Sequence, residues 1–189
     1  MKALLVDLDD TLLDYSGGVD ESLERRVSQR RRARGHRRSP RCCPRWRGSR
    51  RWFWDDPVRH ARERTDMNGA WRQIVAHALE GIGRPSERLA VEVAEAFAAN
   101  RWRRMALYPG AREALVRLRA EGMPLALITN GDKTHQRRKI EMHDLGRFFD
   151  VIVIEGEFGV GKPDESALSP RARRPRRLAR RRLMVGDNL

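Results

Sequence analysis

The spacing of apolar residues alternates between two patterns along the chain. Short, mostly apolar runs indicate buried β-strands, and they occupy residues 3–8, 124–130, 151–156 and 183–189. Elsewhere apolar residues recur every three or four positions, which is the pattern of an amphipathic helix. This spacing predicts helices over 67–82, 86–103 and 111–121, and the basic segment 133–143, which lies between two apolar runs, is predicted as a further helix.

The order of these elements predicts the fold class. From residue 104 onwards helices and strands alternate, which is typical of an α/β protein with a central parallel sheet and right-handed crossovers. Residues 15–103 interrupt this alternation after the first strand with helices alone. We therefore predict a core made of residues 1–14 and 104–189, with an α-helical domain inserted at 15–103.

The positive charge is concentrated in two segments. The chain of 189 residues has a formal net charge of +14, but residues 28–54 hold eleven arginines, residues 166–182 hold eight, and neither segment contains an acidic residue. The other 145 residues therefore sum to −5. We call these segments the first and the second basic block. Outside them the protein is mildly acidic, so the net charge alone does not indicate a nucleic-acid-binding protein.

The first basic block contains no Leu, Ile, Val or Met, and its Pro and Gly residues interrupt helices. Because it cannot bury enough apolar surface to offset the entropy lost on ordering, we predict that 28–54 is disordered or results from a shifted reading frame in a GC-rich gene. A competing interpretation is a nucleic-acid-binding surface in which Trp46, Trp52 and Trp54 stack on bases. The second block contains two prolines and predicts a poor crossover helix.

Secretion and membrane insertion are not indicated by the sequence. The two cysteines, Cys42 and Cys43, are adjacent, which favours unpaired thiols in a reducing compartment. No apolar run is long enough to span a membrane, and Asp7 interrupts the first run before it could act as a signal sequence. We therefore expect a cytoplasmic protein without membrane contact, and the sequence leaves the oligomeric state open.

Polar residues with related chemistry follow the four apolar runs. The fragments are DLDDT, which begins at Asp7, then ITN (128–130), GKPD (161–164) and GDN (186–188). Because the carboxyl ends of parallel strands meet at one edge of the sheet, these fragments should converge. Carboxylate oxygens suit Mg²⁺, whereas a lysine and backbone N–H groups suit a phosphate. The sequence therefore predicts a site for Mg²⁺ and a phosphorylated ligand at this edge.

In that order, DLDDT, ITN, GKPD and VGDN resemble the four signature motifs of the haloacid dehalogenase-like (HAD) hydrolase superfamily. Residues 108–164, from YPGAREAL to GKPD, are also similar to subfamily I phosphatases, which carry a helical cap after the first motif. The resemblance implies a Rossmann-like three-layer core with an inserted α-helical cap. It also implies a core that is incomplete at its C-terminus, because the family has a further acid, helix and strand after the fourth motif.

The resemblance implies a catalytic role for two aspartates. Asp7 would be the nucleophile that forms an aspartyl-phosphate, and Asp9 would act as general acid and then as general base. Asp10 and Asp14 are expected only to shape the turn. A dehalogenase has no alkoxide to protonate and typically lacks the second acid, so Asp9 favours phosphate monoester hydrolysis, with a phosphomutase left open.

The remaining motif residues would bind the phosphoryl group and the metal. Thr129 and the N–H of Asn130 would hold phosphoryl oxygens, and Lys162 would neutralise the charge around the nucleophile and keep it ionised. The Mg²⁺ ligands implied by the resemblance are the Asp7 carboxylate, the Asp9 backbone carbonyl and Asp187.

The activity implied is therefore Mg²⁺-dependent hydrolysis of a small phosphorylated metabolite, either a sugar phosphate or a nucleotide. One alternative is an inactive phosphatase fragment, because the chain ends soon after the fourth motif and the basic blocks replace two helices of the family. The other alternative is nucleic-acid binding through residues 28–54. Under the first interpretation, nucleic acid would bind only nonspecifically, as a polyanion.

Overall fold

The strands and helices are described from a computed structural model, which covers residues 2–17, 42–63, 65–168 and 181–187. The chain forms two units, of which unit 1 comprises Met1–Ser16 and Met105–Leu189, and unit 2 comprises Gly17–Arg104. The bounds of these units differ from those of the predicted domains by one or two residues.

Unit 1 contains a four-stranded parallel sheet in the order β3-β2-β1-β4. Its strands are β1 (Lys2–Val6), β2 (Leu125–Thr129), β3 (Val151–Ile154) and β4 (Arg181–Val185). In the centre of the sheet, Leu5 of β1 pairs with Ala126 on one side and with Met184 on the other. The predicted α/β class with a parallel sheet is thus confirmed, and the carboxyl ends of β1, β2 and β4 lie side by side.

Unit 2 is helical in its described part. Its helices are α1 (Cys42–Trp54), α2 (Pro57–Glu63), α3 (Met67–Glu80) and α4 (Glu87–Arg104). The apolar spacing predicted α3 and α4 to within two residues at each end. Both helices begin at polar caps, because the side chain of Asp66 accepts a hydrogen bond from Gly69 N (2.9 Å) and that of Ser86 accepts one from Leu89 N (3.2 Å).

The prediction of disorder in the first basic block is wrong for residues 42–54, which form α1. The helix buries Trp46 and Phe53, and Phe53 is fully excluded from solvent. The ring of Trp46 stacks on Trp71 (centroids 6.1 Å apart) and meets Phe97 edge-on (5.3 Å). These contacts make α1 part of the apolar core of unit 2.

Two features of α1 explain why its composition is compatible with a helix. A buried aromatic side chain removes about 150–250 Å² from water, so Trp46 and Phe53 replace the missing aliphatic residues. Pro44 is the third residue of α1, in the first turn, where a backbone N–H has no helical partner, so a proline is tolerated at this position. Residues 28–41 and the side chains of residues 42–44 lie outside the described part, and the predictions for them stay predictions.

The helices of unit 1 flank the strands in sequence. They are α5 (Ala111–Ala120), α6 (Lys133–Met142), a 3-10 turn (Gly146–Phe148), α7 (Glu155–Phe158) and α8 (Glu165–Leu168). Side chains from both faces of the sheet are buried, because Val6 and Leu127 belong to one apolar cluster while Leu5 and Ile128 belong to another. None of the helices in the described ranges is long and apolar enough to cross a membrane.

Two predicted strand boundaries differ from the structure. The strand predicted over 151–156 ends at Ile154, because Glu155 begins α7. The strand predicted from residue 183 begins at Arg181, so β4 takes two arginines from the second basic block. Residues 169–180 of that block lie outside the described part, so the prediction of a poor crossover helix is not decided there.

Candidate functional site

Asp7 lies directly after β1, at the carboxyl edge of the sheet. Its backbone N–H donates to Val185 O of β4 (2.9 Å), which continues the strand pairing by one residue. Its carboxylate is buried and accepts two hydrogen bonds: one from Leu8 N (2.7 Å) and one from the Lys162 ammonium. The structure therefore pairs two residues that the sequence separates by 155 positions, as the convergence of strand ends predicts.

Burial raises the pKa of Asp7 above its ordinary value, and the charge of Asp9 adds a smaller contribution in the same direction. The hydrogen bond and the charge of Lys162, together with the Leu8 N–H, lower this pKa and offset part of the effect. Lys162 thus acts in the predicted direction, towards an ionised Asp7, although burial is the larger influence.

The loop that carries Lys162 is fixed by Asn130. The Asn130 side chain accepts a hydrogen bond from Lys162 N (2.7 Å) and donates one to Lys162 O (2.9 Å). The neighbouring Gly161 packs so closely that a Cβ atom there would lie 2.6 Å from Asn130 Oδ1 and from the carboxyl carbon of Glu155. A glycine at 161 therefore lets the loop approach β2 and brings the lysine to Asp7.

Asp9 contacts a different lysine. Lys139 Nζ lies 2.8 Å from Asp9 Oδ1 and 2.7 Å from Asp9 Oδ2, and the Lys139 side chain is only 3% exposed. The same ammonium group lies 3.8 Å from the centroid of the Tyr15 ring. Gln136 Nε2 lies 3.0 Å from Asp9 Oδ2. The Asp9 carboxylate is therefore held by two residues of α6.

Thr129 ends β2 and is buried beside the same helix. Its hydroxyl oxygen accepts a hydrogen bond from Gln136 Nε2 (2.6 Å), which also lies 2.9 Å from Asn130 O. The Thr129 hydroxyl itself makes only a long contact of 3.4 Å with Asn130 O. Gln136 therefore links the end of β2 to the carboxylate of Asp9.

Asp187 follows β4 and reaches the first motif through its backbone. Its N–H donates to the Thr11 hydroxyl (3.1 Å), while its side chain is exposed. Desolvation and then the charges of Asp10, Asp14 and Asp187 raise the pKa of Tyr108, so these carboxylates act on the same part of unit 1.

Asp10 shapes the turn, as expected. Its side chain accepts hydrogen bonds from Ser16 N (2.7 Å) and Tyr15 N (3.1 Å), and its backbone is left-handed, with φ of 54°. A residue with a short polar side chain tolerates this conformation better than most others. The bonds to Ser16 and Tyr15 leave Asp10 with a clear local role.

The oxygen donors at this edge are of the kind that Mg²⁺ prefers. Within the described ranges, no three His, Cys, Asp or Glu side chains cluster as a metal site. The side chain of Asp9 is engaged by Lys139, so Asp9 could contribute only its backbone carbonyl. Mg²⁺ commonly keeps several waters, so one or two carboxylates and a carbonyl would suffice as its protein ligands.

The sequence interpretation missed Gln136 and Lys139. The signal that identifies them is helical spacing: with Ile140, they occupy positions i, i+3 and i+4 of α6, and all three are buried. Because α6 begins shortly after β2 ends, polar residues on this stripe are brought to the edge where the motifs meet.

The chain is similar to known hydrolases. The family model for haloacid dehalogenase-like hydrolases matches residues 1–189. The phosphoserine phosphatase of Thermus thermophilus is 36% identical over an alignment of 212 positions, gaps included. This alignment spans 100% of this chain and 81% of that protein. The glyceraldehyde 3-phosphate phosphatase of Pyrococcus abyssi is 37% identical over 81 residues, 43% of this chain and 34% of that protein, so the latter match covers about a third of the relative.

Solved structures agree in fold. The HAD-hydrolase YfnB of Bacillus subtilis, solved with bound magnesium, superposes with a TM-score of 0.61 at 16% identity, over 89% of this chain and 69% of that one. The family match over the full chain and the similarity to the Thermus phosphatase confirm the resemblance found in the four motifs. The chain belongs to the haloacid dehalogenase-like hydrolase family.

Proposed function

We propose that this protein hydrolyses small phosphate monoesters in a Mg²⁺-dependent reaction that passes through an aspartyl-phosphate on Asp7. Family membership and the similarity to phosphatases confirm the enzyme class, a hydrolase acting on phosphoric monoesters. The observation that carries the proposed mechanism is the buried carboxylate of Asp7, paired with Lys162 at the edge of the sheet.

In the first step an oxygen of the Asp7 carboxylate attacks phosphorus, and the ester bond between phosphorus and the leaving oxygen breaks. Asp9 donates a proton to that oxygen, so the alcohol leaves neutral and Asp7 carries the phosphoryl group. Lys162 offsets the negative charge that collects around Asp7. This charge balance explains why a cation is needed beside a buried nucleophile.

In the second step a water molecule attacks the phosphorus atom, and Asp9, now ionised, takes a proton from that water. The bond between phosphorus and the Asp7 oxygen breaks, which releases inorganic phosphate and restores both carboxyl groups. The Thr129 hydroxyl and the Asn130 N–H would hold phosphoryl oxygens. The long contact of Thr129 with Asn130 O leaves its hydroxyl hydrogen able to turn towards such an oxygen.

The residues that would hold Mg²⁺ are Asp7 and Asp187 through their carboxylates and Asp9 through its backbone carbonyl. When bound, the ion supplies positive charge that lets an anionic substrate approach the Asp7 carboxylate. The side chain of Asp9 stays with Lys139 and Gln136, which keeps it for proton transfer.

The proposed substrate class is a phosphorylated metabolite, either a sugar phosphate or a nucleotide. The panel of substrates to be assayed consists of sugar phosphates, nucleotides and phosphoserine. Phosphoserine is included because the relative whose alignment spans the whole chain is a phosphoserine phosphatase. Release of inorganic phosphate distinguishes hydrolysis from the phosphomutase alternative. We keep the cytoplasm as the proposed location, on the basis of the adjacent cysteines.

The structure does not favour base stacking by the aromatic residues of the first basic block. Trp46 is buried within unit 2, and the ring of Trp52 lies 3.9 Å from the His77 ring and 3.9 Å from the Arg59 guanidinium. Because these rings already have partners, we propose no second function for α1.

The first test is hydrolysis of p-nitrophenyl phosphate with and without Mg²⁺. The Asp7→Asn variant should lose at least about 10³-fold in kcat, because the entire covalent route depends on this carboxylate. Asp10→Asn is the matched control, since asparagine retains the acceptor for Ser16 N and tolerates the left-handed backbone. Equal loss in the two variants, or full activity of Asp7→Asn, would contradict the proposed mechanism. A folded wild type without activity would support the alternative of an inactive fragment.

A further inference from the structure

Asp9 is the proposed general acid and base, and side chains of α6 contact both oxygens of its carboxylate. Lys139 Nζ contacts the two oxygens at 2.8 and 2.7 Å, and Gln136 Nε2 contacts Oδ2 at 3.0 Å. Charge-assisted contacts to both oxygens of one carboxylate fix its plane as well as its position. Without them, a short acidic side chain in a turn could rotate between several rotamers.

The partners of Asp9 are themselves held in place. The Lys139 side chain is 3% exposed, its ammonium lies against the ring of Tyr15, and the next residue, Ile140, belongs to the apolar core. A buried lysine needs a carboxylate partner to offset the loss of its hydration. The pair with Asp9 meets this need, so the lysine and the aspartate each restrict the other.

Gln136 connects this pair to the proposed phosphate site. Its Nε2 group lies 2.6 Å from Thr129 Oγ1 and 2.9 Å from Asn130 O, in addition to its contact with Asp9. The Gln136 amide therefore holds Thr129 and Asp9 at a fixed distance from each other. Thr129 would bind a phosphoryl oxygen, and Asp9 would protonate the leaving oxygen.

We propose that Lys139 is a positioning residue for Asp9, and that Gln136 sets the position of this pair relative to Thr129. The proposal rests on the proposed phosphatase function and adds to it a determinant of proton transfer. Lys139 touches neither the phosphorus nor the leaving oxygen, and it acts through the Asp9 carboxylate. The ammonium has three N–H donors, so it can keep one oxygen of Asp9 while the other turns to the leaving group.

The expected signature is a dependence on the leaving group. An alkyl phosphate releases a strongly basic alkoxide and needs the proton from Asp9, whereas p-nitrophenolate leaves with little help. Lys139→Met should therefore lower kcat/KM for the best alkyl phosphate of the substrate panel by about 10²-fold, the cost of a misplaced catalytic group. For p-nitrophenyl phosphate the loss in kcat/KM should stay below about 5-fold.

The two substrates are assayed on the same preparation of each variant. Partial unfolding lowers both values of kcat/KM by the same factor, so the ratio of the two is insensitive to the fraction of folded protein. Lys133→Met is the matched control, because Lys133 is an exposed lysine at the start of the same helix. This control should leave the ratio unchanged.

A double variant tests whether Lys139 acts through Asp9. In the Asp9→Asn background, Lys139→Met should cause no further loss with the alkyl phosphate, because the group that it positions is already absent. The proposal is overturned if Lys139→Met lowers kcat/KM equally for both substrates, or if its loss is undiminished in the Asp9→Asn background. If the wild type shows no Asp7-dependent hydrolysis at all, the proposed function itself fails, which is a separate outcome.

Discussion

His143 is a partly buried titratable residue outside the candidate site. It follows α6, and its Nε2 atom is excluded from solvent without a hydrogen-bond partner among the described residues. Burial and then the nearby Arg112 guanidinium, which donates to the His143 carbonyl, lower the pKa of the imidazole. The folded state therefore binds a proton on this side chain less readily than the unfolded chain does.

We expect His143 to make the protein less stable in mild acid. As the pH falls through the ordinary pKa range of histidine, the unfolded chain binds a proton more readily than the folded state does. The free energy of unfolding therefore decreases. In His143→Leu this part of the decrease should vanish, a difference of at most about 1.4 kcal/mol per pH unit. Urea unfolding between about pH 8 and about pH 5.5 measures it. Equal pH slopes for the wild type and the variant would contradict this explanation.

For Asp7 and Asp9, the sequence predicted one of the lysine contacts that the structure shows and missed the other. Alternation along a strand predicts that both side chains point to one phosphate. However, β1 ends at Val6, and the two carboxylates contact different lysines, Lys162 and Lys139. The first lysine lies in a motif and was predicted. The second lies in α6, where the sequence predicted a helix but no site residue, so its contact with Asp9 could be identified only from the tertiary structure.

At the scale of elements, α1 is the part of the fold that depends most on aromatic packing. Gly48 lies in the middle of this helix, and a Cβ atom added there would meet nothing within 4 Å. A glycine inside a helix costs stability because the unfolded chain has more backbone freedom than it would with alanine.

The Gly48→Ala variant should therefore raise the free energy of unfolding by about 1 kcal/mol, as measured by urea titration. Gly48→Pro should lower it by about 3 kcal/mol, because proline removes a helical hydrogen bond and clashes with the preceding turn. If residues 42–54 were disordered, as the sequence suggested, both variants would unfold like the wild type.

Strands and helices with regular apolar spacing were predictable, whereas α1 was not. The strands β1, β2 and β3 follow from short apolar runs and the helices α3 to α5 from apolar residues that recur with the period of a helix, whereas α6 was predicted from its place between two strands. In α1 the buried positions carry Trp46 and Phe53 among arginines, so its mean hydropathy is that of a polar segment. Its burial depends on rings supplied by α3 and α4, a tertiary effect that no local pattern contains.

At the scale of the whole molecule, the charge and the chemistry occupy different parts of the sequence. The basic blocks supply +19 of the positive charge, whereas the four motifs of the proposed site lie outside both blocks. The order of the strands, with β1 between β2 and β4, brings these segments together and could not be read from the sequence. The structure brings together Asp7 and Lys162 from two of these motifs.

The central claim is that Asp7 carries the phosphoryl group during turnover. The direct measurement is mass spectrometry of acid-quenched enzyme after brief reaction with p-nitrophenyl phosphate and Mg²⁺. The Asp9→Asn variant should accumulate the adduct, because it lacks the base that activates water for the second step. We expect a phosphoryl group on the peptide that contains Asp7, removable by hydroxylamine. Turnover without this adduct, or an adduct on another residue, would contradict it.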